Sequence, residues 1–172
     1  MALLEQLKLR AAIKQFDSTK RLTQQQLDEL LAAVQLSPSS AGLQPYRIIV
    51  VEDTEIRLKL REAAYGQAQI TDASQLIVFA AETTVDETLV KKYIDLIAET
   101  RHVDREKLTG FEQMIMGSVN AKTPEERIIW AQKQAYIALG VLSAAAADLQ
   151  IDACSMEGFS PAAFDELLGL KE

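Results

Sequence analysis

Thr123-Pro124-Glu125-Glu126 announces a helix more completely than any other stretch of this 172-residue sequence. Threonine stands at the N-cap, and proline follows at the first helical position, where a missing N–H breaks no hydrogen bond. Two carboxylates then face the positive end of the helix dipole. The helix this opens is expected to run to about Leu149. From Trp130 onward Ala, Leu, Val, Ile and Tyr occupy nearly every side of it, and a helix apolar all round needs cover all round. The chain should therefore wrap its other elements about one long, buried, central helix. The most apolar stretch within it, Tyr136 to Ala147, is too short to span a bilayer.

The remaining elements follow from periodicity. Residues 2–13 read as a helix with Leu3, Leu4, Leu7 and Ala11 on one side, which puts Arg10 and Lys14 one turn apart on a shared face. Thr23-Gln24-Gln25-Gln26 is a capping box, and Leu27, Leu30, Leu31 and Val34 follow at helical spacing up to Ser37-Pro38. Tyr46–Val51 is a short β-branched run, as expected of a buried strand, and the continuous apolarity of Leu76–Ala81 suggests a strand covered on both faces. Ile151–Met156 reads as a third strand. Helices are expected over 54–64, ended by Gly66, over 86–101 and over 105–118, the last with Leu108, Phe111, Met114 and Ile115 as its apolar set. The stretch Gln67–Asp72 is polar and irregular, Glu157-Gly158-Phe159 is a turn, and Ser160-Pro161 caps a short helix that ends at Leu168-Gly169. The sum is an α+β domain, 1–172, with a small sheet packed on long helices.

Charge and residue counts exclude several functions. The formal charge of −7 disfavours broad binding to nucleic acid or to an anionic membrane. Cys154 is the only cysteine and His102 the only histidine, so an intrachain disulfide and a His-rich metal site are both excluded, and no metal site is expected. A single thiol and an N-terminus without a signal-peptide layout point to the reducing cytoplasm. Positive charge gathers at one place: Lys8, Arg10, Lys14, Lys20 and Arg21 stand against only Glu5 and Asp17. A solvated helix face explains such a cluster, and so does an anion site.

Ser37-Pro38-Ser39-Ser40-Ala41-Gly42-Leu43-Gln44-Pro45-Tyr46 can be neither helix nor strand over most of its length. Its hydroxyls and backbone N–H groups lie close together, and Gly42 permits a close approach or a positive φ. An ordinary helix-to-strand connection accounts for it; so does a loop that cradles a phosphate-bearing ligand. No G-x-G-x-x-G, Walker loop or G-x-S-x-G motif is present, and the serines have no base nearby in sequence.

In their order along the chain, several scattered pieces resemble the FMN-dependent nitroreductase family. They are Arg10-x-x-x-Lys14-x-Phe16, the Leu36–Tyr46 loop, Asp72-Ala73-Ser74 before the second strand, Trp130-x-x-x-Gln134-x-Tyr136 in the long helix, and Met156-Glu157-Gly158-Phe159. The resemblance implies a nitroreductase-like fold, with a small, mainly antiparallel sheet packed against long helices in an intertwined homodimer. It also implies two FMN sites at the subunit interface. It gives a cofactor-binding set of Arg10, Ala11, Ala12, Lys14, Gln67, Gln69, Met156, Glu157 and Gly158 from one chain. Pro38, Ser39, Ser40 and Gly42 are assigned to the same flavin from the other chain. By the same resemblance Arg10 meets the phosphate, Lys14 the N1/C2 edge, Gln67 or Gln69 the pyrimidine edge, and the backbone at Glu157-Gly158 the N5. Ala41, Met116 and Gln134 fall on the substrate side, although Met116 is equally explained as a core methionine.

The implied reaction is a two-electron, ping-pong transfer. Hydride passes from NAD(P)H to N5 of FMN and then to a nitroaromatic or quinone, with the flavin and no side chain carrying the chemistry. Ala12 replaces a hydroxyl residue frequent in the family, Gly42 replaces a frequent asparagine, and the Gln67–Ile70 loop is shorter than in some members. The sequence ends before the family's last strand, basic pair and tail. That raises an alternative: a C-terminally shortened protein acting as a non-catalytic flavin-binding or interaction module. A helical dimerisation protein without cofactor is a third reading.

Overall fold

In the computed structural model, residues 3–170 are described. Helix α1 (Leu3–Leu9) is followed by α2 (Gln24–Gln35), strand β1 (Tyr46–Val51), α3 (Thr54–Ala63), α4 (Gln69–Asp72) and strand β2 (Leu76–Ala81). Then come α5 (Glu87–Arg101), α6 (Thr109–Asn120), α7 (Pro124–Asp148) and α8 (Pro161–Leu167). The two strands pair in antiparallel fashion, and just past their ends the Glu82 N–H donates to Pro45 O at 2.9 Å. The chain forms two compact units, one of residues up to 36, 48–78 and from 139 onward, the other of 37–47 and 79–138.

In the first unit, Ile49 and Val51 of β1 alternate onto one face with Leu76 and Val78 of β2. That face packs with Leu60 and Ala64 of α3 and its C-cap, Ile70 of α4 and Phe164 of α8. Helix α2 is capped at both backbone ends of the Thr23/Gln26 box, with Gln26 N–H to Thr23 Oγ1 at 3.2 Å and Thr23 N–H to Gln26 Oε1 at 2.9 Å. Its Leu27, Leu30 and Val34 are buried. In the second unit, Val90, Ile94 and Ile97 of α5 meet Ile115 and Val119 of α6, Ala131 of α7 and Leu43. Asp86 caps α5 through the Leu89 N–H at 3.0 Å, and His102 ends it at φ +52°.

Four expectations need correction. Helix α1 stops at Leu9 rather than residue 13: Leu3, Leu4 and Leu7 are exposed and only Gln6 is buried, so no apolar contact carries the helix further. Ile151–Met156 is not a strand; it makes a single parallel bridge, Ala12 to Ala153. The strands β1 and β2 are largely half-buried rather than covered on both faces, because two strands alone cannot bury two faces. Helix α7 is buried along Ala131, Gln134, Ala135 and Ala138, while Ile129, Tyr136 and Ile137 stay exposed, so it is not covered all round.

Smaller differences are local. The 105–118 helix divides into a 3-10 turn, Arg105–Leu108, and α6, and Met114 is exposed. The turn is fixed by the Arg105 guanidinium, which donates to both carboxylate oxygens of Glu112 at 2.8 and 2.9 Å and to Asp95 at 2.7 Å. The Gln67–Asp72 stretch contains a short helix instead of an irregular loop. Among the described residues no helix is long and apolar enough to cross a membrane.

Candidate functional site

Beyond Leu9 the chain leaves helical geometry and runs beside residue 153, with the Ile13 N–H donating to Ala153 O at 3.4 Å. Alternate residues of an extended run share a side, and Arg10, Ala12 and Lys14 stand in that relation in sequence. Other cations nearby are engaged: Lys8 pairs with Glu5 at 2.8 Å and Lys20 with Asp17 at 3.9 Å. Among the described residues Lys14 Nζ meets only Sγ of Cys154, at 3.5 Å. Arg10 makes no ion pair or side-chain hydrogen bond among the described residues. Two exposed positive charges four residues apart, neither met by a carboxylate among the described residues, are a ready receiver for an anion.

The Gln67–Asp72 segment is held by α3. Arg57, only 7% exposed, donates through its guanidinium to Ile70 O at 2.7 Å, Ser74 O at 3.1 Å and Ala73 O. Burial pushes its pKa below the usual arginine value, with Arg21 adding to the effect. Arg61 adds bonds to Gly66 O at 3.1 Å and Thr71 Oγ1 at 3.0 Å. Gln67 Nε2 donates to Gly158 O at 2.7 Å and Ala64 O at 3.1 Å, so the Glu157-Gly158 turn is tied to this segment and the Oε1 of Gln67 is left open. A Cβ on Gly158 would lie 3.2 Å from that Nε2, so the bare backbone makes room for the amide. Gln69 is 8% exposed, and its side-chain amide has no partner among the described residues. Met156 packs into the cluster around Leu60, while Glu157 and Gly158 are exposed.

The serine loop lies in the second unit and is largely self-satisfied. Ser37 is buried and bonds to the Tyr46 hydroxyl at 3.0 Å. Gln134, 6% exposed, accepts the Ser40 N–H at 2.9 Å and the Ser39 hydroxyl at 3.4 Å on its Oε1, and donates to Trp130 O at 3.2 Å. The Gln44 N–H donates to the Ser39 Oγ at 3.1 Å. What the loop keeps open is the Ser39 N–H and the Ser40 hydroxyl, with Pro38 and Ser40 exposed. Met116 is half-buried against the α5–α6 core, and Gln134 holds the loop through its Oε1.

Two residues were not singled out by sequence. Tyr93, read only as part of the apolar face of α5, donates its hydroxyl to Ala41 O at 2.9 Å, across 52 positions of chain. Burial raises the pKa of that hydroxyl. Cys154, read only as a lone thiol, is the partner of Lys14. Neither contact leaves a local signal, because each joins segments far apart in sequence.

The nitroreductase family matches the chain over residues 7–172. YfkO of Bacillus subtilis, provisionally named an NAD(P)H nitroreductase, is 33% identical over 164 residues, which cover 91% of this chain and 74% of YfkO. Among solved structures, ydfN of Bacillus subtilis, provisionally named a nitroreductase, has a TM-score of 0.86 at 20% identity, over 98% of this chain and 81% of its own. A provisionally named nitroreductase from Exiguobacterium sibiricum, solved in complex with FMN, has a TM-score of 0.85 at 19% identity, over all of this chain and 82% of its own. At that identity the two structures establish the fold.

Proposed function

Since the chain belongs to the nitroreductase family, we propose that it is an FMN-dependent oxidoreductase drawing electrons from NAD(P)H and passing them to a nitroaromatic or quinone. The observation that carries the reading is the row Arg10-x-x-x-Lys14, two exposed cations without a carboxylate partner. A phosphate-bearing ligand meets that row, and the partnerless amide of the nearly buried Gln69 suits the polar edge of a planar ring system. The residues present therefore fit FMN.

FMN, when bound, would supply the redox chemistry, a two-electron exchange with the donor and the acceptor in turn. The chain's own residues bind and tune. Arg10 is assigned to the phosphate. Lys14 is assigned to the N1/C2 edge, where a cation favours the reduced, more anionic state. Gln69 is assigned to the pyrimidine edge. Gln67 fixes the turn at Glu157-Gly158 and so orients that backbone.

A homodimer belongs to the same reading, with the open Ser39 N–H and Ser40 hydroxyl of the second chain completing each site. It is supported by exposed apolar side chains, Leu3, Leu4, Leu7 and Leu9 on α1 and Ile129, Tyr136 and Ile137 on α7, which a single chain leaves in water. Action on small molecules in the cytoplasm completes the proposal.

An absorption spectrum of the isolated protein tests it. Yellow protein whose flavin band is bleached by NAD(P)H without oxygen, and restored by a quinone, is the expected result. Colourless protein that takes up no added FMN defeats the reading. Bound FMN that NAD(P)H cannot bleach leaves a flavin-binding module in its place.

A further inference from the structure

The serine loop adopts a backbone that its sequence alone does not favour. Ala41 has φ +56° and Gln44 φ +44°, both in the left-handed region, and Gly42 between them has φ +73°. Two non-glycine residues hold such angles only where surrounding contacts over-determine them, and sites of this kind cluster at ligand clamps. Two side chains supply the contacts. Gln134 takes the Ser40 N–H and the Ser39 hydroxyl from one side. Tyr93 of α5 reaches the loop and bonds the carbonyl of Ala41, the first left-handed residue, at 2.9 Å.

The same hydroxyl dictates the glycine. A Cβ on Gly42 would lie 2.2 Å from Tyr93 Oη, a distance no real contact shows, but 3.4 Å from Cζ, an ordinary contact. Gly42 is therefore required by φ and, separately, by the oxygen of Tyr93. Its close approach is to a side chain of its own chain rather than to a ligand.

We propose that Tyr93 is a positioning residue for the cofactor: through Ala41 O and against Gly42 it locks Ser39–Gly42 in the shape that holds the Ser39 N–H and the Ser40 hydroxyl open for the flavin. The inference rests on the FMN reading given above. Its action is indirect, since the Tyr93 hydroxyl is spent on Ala41.

The test is a double-mutant cycle of Tyr93→Phe and Gly42→Ala in the full chain, read by FMN dissociation constant, by amide exchange at Gly42 and Leu43, and by thermal midpoint. Those two amides close the turn, donating to Ser39 O at 2.9 Å and Ser40 O at 3.2 Å. Tyr93→Phe removes one neutral hydrogen bond and should weaken FMN about fivefold to tenfold while speeding exchange at both amides. Gly42→Ala should weaken it further. Adding Tyr93→Phe to Gly42→Ala removes the clashing oxygen and should restore part of the affinity, so one substitution harms the glycine form and helps the alanine form. If FMN affinity is unchanged in Tyr93→Phe while the thermal midpoint falls, the residue is structural only and the proposal fails. Unchanged exchange in the FMN-free protein refutes the lock itself, whatever the cofactor. A parent protein that binds no FMN overturns the functional reading and the positioning role together, and the exchange data then show whether the lock exists.

Discussion

Arg57→Leu is the substitution with the largest consequence that the structure lets one calculate. The guanidinium is nearly buried and donates to three carbonyls, Ile70, Ala73 and Ser74, that have no other side-chain donor. A hydrogen bond from a charged group contributes about 1.5–3 kcal/mol, so three bonds bound the loss at roughly 5–9 kcal/mol. Two effects reduce it. Two of the three bonds are only part-buried, so water can replace them, and leucine avoids the cost of dehydrating a cation. A net loss of about 3–4 kcal/mol remains, which for a chain of this size lowers the thermal midpoint by roughly 6–16 °C. Arg57→Lys should lose about half as much, since one ammonium cannot span three carbonyls fixed for a planar fork. Thermal and urea denaturation measure the loss, and FMN titration of the same variants shows whether it reaches Gln69, which sits on the turn that Arg57 holds. An Arg57→Leu protein within about 1 kcal/mol of the parent would refute the claim that this guanidinium organises residues 69–74.

Two further outcomes are expected. Arg10→Ala should weaken FMN by about tenfold to a hundredfold, the range of one charge-assisted bond, and leave riboflavin, which lacks the phosphate, unaffected. Equal losses for the two ligands would remove Arg10 from the phosphate. For Glu112 the hydrogen bonds from Arg105 come first in holding its carboxyl below the usual value, outweighing its partial burial. A depressed folded-state pKa stabilises the protein above the unfolded carboxyl's value, near about pH 4.3, and that stability is lost as pH falls through the folded value. Melting curves from pH 7 to about pH 3 should therefore fall more shallowly in Glu112→Gln than in the parent, and identical slopes would show the pair to be inert.

Local signals were read correctly from sequence because local physics decides them. The capping box at Thr23, the N-cap at Thr123, the proline start of α8 after Ser160 and the glycine stop at Gly66 depend on residues a few positions apart, and each stands in the structure. What sequence could not show is decided at long range. The short helix α4 forms within a polar stretch because two side chains of α3 hold it, Arg57 on the carbonyls of Ile70, Ala73 and Ser74 and Arg61 on the Thr71 hydroxyl. Residues 151–156 carry a strand-like composition but find only one bridging partner, and composition cannot supply a second. Helix α7 was expected to be covered all round from its apolar residues alone, yet one chain covers only its alanine-lined side.

Residues 10–14 leave the helix expected of them, and a spacing of four is indifferent to that change. A spacing of four is close to one turn of a helix with 3.6 residues per turn, and it is also an even number of steps along a strand. The two cations therefore share a side whether residues 10–14 coil or extend. The backbone leaves α1 at Leu9 and pairs at Ala12. A spacing of three would have held on a helix and split across the two faces of the observed run. Which cation meets which companion was not similarly protected: the approach of Cys154 to Lys14 spans 140 positions and exists only because Ala12 and Ala153 are bridged. A spacing of four is thus legible from sequence, whereas a contact between residues 140 positions apart is not.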